Sequence, residues 1–346
     1  MNKRKQGRKI LVTGSAGFIG GYVVEELLKN GHTVIGVDNF SKYGLIEKSY
    51  DKNPRYSFVK GDVKNTKLLK ELLEDCDHLI AGAARIGGIS YFHEFAYDLT
   101  AENERIIAST FDAAIDAFLN KKLKKITVIS SSMVYESASK FPTKEDEVSK
   151  IPPPLSTYGF QKLACEYFAK GAWEQYKLPY TIVRPFNCVG IGEERAKVGK
   201  EVKSGNITLA MSHVVPDLVL KVLKGQDPLR IFGKGNQVRC YTYGGDVAKG
   251  IITAMFSPKA TNEAFNISSP TPTTVLELAK LIWEKINPGK QFNYKSDTPL
   301  TYDVQMRIPD ITKAKKILGF DAKTSLDETL DIVIPWIKKQ LENGRM

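Results

Sequence analysis

The stretch Ile10-Leu-Val-Thr-Gly-Ser-Ala-Gly-Phe-Ile-Gly20 decides the fold of this 346-residue chain. Residues 10–13 are apolar or β-branched and read as a buried strand that breaks at Gly14. Gly17 and Gly20 then open a helical stretch over 22–29. Gly14 permits a tight turn, Gly17 removes the side chain where a pyrophosphate must approach, and Gly20 lets helix pack close on strand. The phosphates then sit on the unpaired N–H groups and the positive dipole end of that helix. G-x-x-G-x-x-G alone is a weak signal. Between a strand and a helix near the start of a βαβ unit it points to a dinucleotide site.

The next strand, 33–37, ends in Asp38, eighteen residues past Gly20. An acidic residue there accepts hydrogen bonds from the adenosine ribose hydroxyls and repels a 2′-phosphate, so NAD is expected over NADP. Lys42 argues the other way, less directly. Asp62-Val63, after the third strand, is expected near the adenine. The cofactor contacts expected in full are Gly14, Gly17, Phe18, Ile19, Gly20, Asp38, Asn39, Asp62, Val63 and Ala83, joined by Tyr158 and Lys162.

Strand signals recur at 9–13, 33–37, 56–60, 78–81, 125–130 and 180–184, with helix-length segments at 67–74, 103–120 and 159–175 between them. This alternation predicts an α/β fold, a doubly wound parallel sheet of Rossmann type with a smaller, interleaved C-terminal substrate-binding domain. The expected division puts 1–186 in the dinucleotide domain, with 237–263 returning to it, and 187–236 and 264–346 in the substrate domain. Segment 190–205 reads as a long loop. Helices are expected over 214–224, 246–256, 275–285 and 324–340. Chemistry is expected in the loops after the carboxyl ends of the strands.

With 42% hydrophobic and 26% charged residues the composition is that of a globular protein. The net charge of +11 invites a nucleic-acid partner, but Lys3, Arg4, Lys5, Arg8 and Lys9 supply five of those charges in an acid-free leader. The remainder is spread thinly without a basic stripe, so no nucleic acid is expected and an anionic small-molecule substrate is. Cys76, Cys165, Cys188 and Cys240 are scattered, with four histidines in the chain, so neither a metal site nor a disulfide framework is expected. No apolar run suits a signal peptide or a membrane span. The reading is a cytoplasmic protein.

Ser130-Ser131-Ser132 stands at a strand end, and Tyr158-x-x-x-Lys162 opens a helix. Residues four apart share a helix face, so Lys162 can hold its ammonium near the Tyr158 phenol, where a cation stabilises phenolate. A strand-end serine hydroxyl can bond both that phenol and a substrate oxygen. Together they make a general base for a hydroxyl whose carbon loses hydride to a nicotinamide. Tyr56 and Lys60 have the same spacing but fall in a strand pattern, where the side chains need not converge.

Gly14-x-x-Gly17-x-x-Gly20, Asp38, Ser131, Tyr158/Lys162 and Arg184-Pro-Phe-Asn187 together resemble the extended short-chain dehydrogenases, in their NAD-dependent nucleotide-sugar epimerase/dehydratase group, which includes UDP-glucose 4-epimerase. The likeness runs from Lys9 to about Gly319. It implies that Ser131, Tyr158 and Lys162 are catalytic and that Ser132 and Asn187 contact a nucleotide-diphosphate sugar. It implies that Arg239 and Arg307 grip the pyrophosphate, for which a guanidinium fork is suited. It also implies a homodimer built on the helices at 103–120 and 159–175. The apolar spacing of Ile106, Ile107, Phe111, Ala114 and Phe118 fits such a contact or a domain core equally.

Departures narrow the chemistry. Dehydratases and decarboxylases of the group carry a carboxylate where this chain has Met133, and 3,5-epimerases carry a cysteine there. Met133 transfers no proton, so those reactions are disfavoured. The usual Val-Tyr-Gly reads Val134-Tyr135-Glu136, and the usual Arg-Asp reads Arg239-Cys240. The remaining set suffices for inversion at C4 through a transient 4-keto sugar, and this is the expected activity. A nucleotide-4-keto-sugar reductase, or a dehydratase, of the same family is the alternative, and a non-catalytic redox sensor or scaffold is disfavoured by the intact Tyr158/Lys162 pair. His93 is read as a structural loop histidine beside the sugar.

Overall fold

The computed structural model describes residues 7–45, 47–86, 95–193, 213–299 and 304–346. The chain first lays down β1 (Lys9–Thr13), β2 (Thr33–Asp38), β3 (Tyr56–Lys60), β4 (His78–Ala81), β5 (Lys125–Ile129) and β6 (Tyr180–Pro185). Shorter strands follow: β7 (Cys188–Val189), β8 (Leu229–Phe232), β9 (Val238–Cys240), β10 (Thr242–Tyr243), β11 (Glu263–Ile267), β12 (Pro272–Thr274), β13 (Tyr294–Asp297) and β14 (Met306–Arg307). The helices are α1 (Phe18–Lys29), α2 (Thr66–Leu73), α3 (Ala96–Leu119), α4 (Thr157–Tyr176), α5 (Val214–Leu223), α6 (Gly244–Phe256), α7 (Val275–Ile286) and α8 (Leu326–Glu342).

Seven strands form one parallel sheet in the order β11-β6-β5-β4-β1-β2-β3. Its order reverses at β1 and β4, and Thr13 pairs in register with Val37 on one side and Ala81 on the other. The carboxyl ends of three strands therefore meet at one crevice, the usual ligand position in such sheets. Alternate residues of β1 serve opposite faces. Ile10 and Val12 pack with α1 and α6, while Leu11 packs with α2, α3 and α4. Burial on both faces is why these strands read as continuous apolar runs.

A smaller lobe carries the sheet β12-β9-β14 and the pair β13-β8, covered by α5, α7 and α8. Its attachment is more interleaved than the sequence division at 237, 263 and 264. Strand β9 stays in the small lobe, whereas β11 joins the large sheet through Ile267. Ala314 and Phe320 return once more to the large core. Asn266 explains why β11 escaped notice: a polar residue sits mid-strand among Phe265 and Ile267, and it is fully buried by its hydrogen bonds.

Helices also extend beyond their sequence signals. The first begins at Phe18 rather than 22, and α3 begins at Ala96 rather than 103. Glycines in the first case and polar residues in the second hide the periodicity. Ile107, Phe111 and Ala114 are buried in the domain core, so that stripe is core rather than partner surface. His93, the first lysines and most of the 190–205 loop lie outside the described residues. No described helix is long and apolar enough to cross a membrane.

Candidate active site

Gly14 adopts φ +74°, and a Cβ there would stand 2.9 Å from the Ala83 Cα. At Gly20 a Cβ would stand 2.0 Å from the Gly14 carbonyl oxygen, so only glycine lets α1 approach β1 this closely. Gly17 caps α1 with no side-chain hydrogen bond, and no acidic residue occupies the first turn. The opening N–H groups are thus left for an anion, the arrangement a pyrophosphate requires.

Asp38 closes β2 beside this turn. Its carboxylate accepts from the Ala16 N–H at 3.1 Å and the Phe40 N–H at 2.8 Å, which fixes its direction. Burial pushes the Asp38 carboxyl up, and the N–H groups of Phe40 and Ala16 oppose that shift. Asn39 approaches Asp62 across the neighbouring loop at 3.5 Å. Ala83 donates its N–H to the Thr13 hydroxyl at 3.2 Å. The loop continues to Arg85, whose backbone N–H donates to Asn103 Oδ1 at 2.7 Å and whose carbonyl accepts from Asn103 Nδ2 at 2.9 Å. Asn103 was not anticipated. A polar residue four places from both Leu99 and Ile107, on the buried stripe of α3, is the signal that exposes it.

On the other side of the crevice, β5 ends beneath Ser130. Ser131 caps a short 3₁₀ turn (Ser132–Tyr135), its hydroxyl accepting from the Met133 N–H at 3.1 Å. Tyr158 lies in the first turn of α4, and Lys162 follows one turn later, buried, donating to the Ile129 carbonyl at 2.9 Å. Beneath them Glu166 is fully buried against Arg184, which grips it through Nε at 2.8 Å and Nη2 at 2.6 Å. Ser130 donates to the same carboxylate at 2.6 Å. Arg184 also donates to the Tyr135 hydroxyl, which donates to Asn266 Oδ1 at 2.9 Å. A buried ion pair of this kind adds little net stability but ties strand ends to α4 in one geometry.

Two departures noted in the sequence have structural consequences. Met133 presents its sulfur to Arg307 Nη1 at 3.2 Å, joining the 3₁₀ turn to the small lobe. Glu136 accepts from the backbone N–H and the hydroxyl of Ser156, at 2.9 and 2.8 Å, and Ser156 caps α4. Sequence spacing does not foreshadow that contact, because twenty residues of loop and turn separate the partners.

The small lobe supplies cations. Arg239 and Arg307 are register partners on β9 and β14, and both line the cavity. Arg239 donates to the Val238 carbonyl at 2.9 Å, which fixes the direction of its guanidinium. The Asn187 side-chain oxygen is buried with no hydrogen-bond partner among the described residues. Asn187 also sits at φ +25°, directly after the β6 corner. All the site residues expected from the sequence, the glycines, Asp38, Asn39, Asp62, Val63, Ala83, Ser131, Ser132, Tyr158, Lys162, Asn187, Arg239 and Arg307, line one cavity of about 740 Å³. Cys188 lines it too, whereas Cys165 lies in the core. No cluster of metal-ligating side chains occurs among the described residues. The open N–H groups, the glycine cradle and Asp38 fit NAD.

The model of the NAD-dependent epimerase/dehydratase family matches residues 10–268. A putative UDP-glucose 4-epimerase of Methanocaldococcus jannaschii is 30% identical over 331 residues, covering 95% of this chain and 98% of that protein. The crystal structure of UDP-glucose 4-epimerase from Thermotoga maritima with UDP-glucose superposes with a TM-score of 0.80 at 30% identity, over 96% of this chain and 99% of that one. UDP-glucuronic acid 4-epimerase from Bacillus cereus, solved with UDP-glucuronic acid and NAD, gives 0.80 at 28% identity over 96% and 99%. The glycine turn, the Tyr158/Lys162 helix and the full-length match converge: this chain belongs to the NAD-dependent epimerase/dehydratase family.

Proposed function

We propose that this protein inverts C4 of a nucleotide-diphosphate sugar, with Tyr158, Ser131 and Lys162 as the acid–base set. The observation that carries the reading is the single cavity in which the glycine turn, Tyr158 and the Arg239/Arg307 pair all lie. Bound NAD supplies reversible hydride acceptance at the sugar carbon. Arg239, Arg307 and Asn187 hold the diphosphate. Tyr158 removes the proton of the 4-hydroxyl, and Lys162 stabilises the phenolate that this requires. Ser131 donates to the sugar oxygen as it becomes a carbonyl. The 4-keto sugar then turns about its diphosphate link, and Tyr158 returns the proton after hydride arrives on the other face. Met133 is compatible with this sequence because no carbon-bound proton is exchanged.

Incubation in D2O with UDP-glucose, UDP-N-acetylglucosamine, UDP-glucuronate and GDP- and CDP-sugars, without added cofactor, tests the reading by proton NMR. A C4 epimer without deuterium is expected. Deuterium at C5, an accumulating 4-keto product or a demand for free reduced cofactor would overturn it.

The protein is further proposed to be a cytoplasmic homodimer. Tyr97 on α3 and Phe160, Tyr167 and Phe168 on α4 are exposed. Exposed aromatic side chains on two packed helices are the kind of surface a second copy covers. Tyr167 is 64% exposed.

A further inference from the structure

We propose that Glu136 is a positioning residue that locks the first turn of α4 against the serine turn, and so sets where the Tyr158 phenol meets the sugar hydroxyl. This rests on the acid–base role of Tyr158 proposed above. The family resemblance places a glycine at this position, so the clamp belongs to this chain.

Glu136 Oε2 accepts both polar hydrogens of Ser156, from the backbone N–H at 2.9 Å and from the hydroxyl at 2.8 Å. With its one hydrogen committed to Glu136, the Ser156 oxygen turns its lone pairs to the Gly159 N–H, which donates to it at 3.0 Å. Tyr158 sits between those two residues. Gly159 is pressed against the same turn: a Cβ there would stand 2.9 Å from the Met133 carbonyl oxygen, 3.0 Å from Glu136 Oε2 and 2.5 Å from the Pro154 Cβ. The Met133 N–H in turn fixes the Ser131 hydroxyl. Serine and tyrosine are therefore referenced to one another through Met133, Glu136 and Ser156 rather than through the sheet alone. A serine cap needs no carboxylate to hold a helix end. The added carboxylate fixes the direction of the cap and the docking of the turn. It also places negative charge at a helix N-terminus, where it is favoured.

The test compares E136A, E136Q, S156A and Y158F by steady-state kinetics, by retained NAD and by single-turnover reduction of the bound nicotinamide. E136A is expected to lower kcat about 10- to 100-fold, the scale of an ångström-sized misplacement, with KM within about twofold and NAD retained. E136Q recovers most of the loss, because an amide oxygen still accepts from Ser156. The E136A/S156A double variant is no slower than S156A, since one linkage is broken in both. The proposal is overturned if folded E136A turns over within about twofold of wild type, or if E136Q is as slow as E136A, which makes the charge itself the requirement. Should E136A not fold, S156A decides: wild-type kcat there also overturns it. A fully active Y158F instead removes the acid–base reading, and with it the premise of the clamp.

Discussion

His78 shows what burial does to a titratable ring far from the cavity. It opens β4 at 8% exposure, packed edge-on to Phe256 and paired in register with Lys125. Burial, reinforced by the Lys125 charge, lowers its pKa from the ordinary 6.5 to about 4. Between those values the unfolded chain binds a proton that the folded ring refuses, so stability falls as pH drops through that range and is unaffected above it. Denaturant melts of H78L are expected to lose this slope, shrinking the stability difference between about pH 7 and pH 4.5 by on the order of 3 kcal/mol. An unchanged slope would place the acid sensitivity in the carboxylates. At this scale the sequence was most informative where chemistry fixes residue type, as with Gly14, Asp38, Ser131 and Tyr158, all of which line the cavity. It was silent on Asn103 and Asn266 and marked Glu136 only as a departure, because their importance lies in partners 18 to 131 residues away.

Helix α1 tests the reading at the scale of an element. The 2.0 Å approach of a Gly20 Cβ to the Gly14 carbonyl is a backbone clash that no rotamer relieves. G20A is expected to destabilise the fold by about 1–3 kcal/mol and to leave the protein with little co-purifying NAD, since the helix N-terminus must back away from the turn. Calorimetry and the absorbance of released cofactor measure both, and undiminished NAD content would show that the glycine serves packing alone. Strands β1, β4, β5 and β6 were legible because their β-branched and aliphatic runs are buried on both faces, whereas β3, at the sheet edge, exposes Ser57 and Phe58. Strands β7, β9, β10, β12 and β14 span two or three residues each, too short to show any period. They pair only with one another, β10 with β7 and both β12 and β14 with β9, outside the large sheet. That is also why the Arg239–Arg307 juxtaposition emerges only in the fold.

For the whole molecule, the proposed homodimer is tested at the exposed aromatic residues of α4. Replacing Phe160 and Tyr167 together with glutamate is expected to yield a folded monomer in sedimentation equilibrium. A variant that still sediments as a dimer would move the interface elsewhere. The sequence placed the two lobes in order but not their stitching. The small lobe leaves the sheet after β6, returns for α6 and β11, departs again, and comes back at Ala314–Phe320. Asn266 fastens the last crossing, its Nδ2 donating to the Thr143 and Asp310 carbonyls at 3.0 Å each.

This stitching limits how sugar preference can be transplanted between relatives. A donor's pocket carried in one contiguous block would bring β9 without its partner β14, or Arg307 without the Asp310 carbonyl that Asn266 seats. A chimera inherits a working pocket only when the pieces after β6, after β11 and before Ala314 travel together, with Asn266 and its seat kept from the same parent.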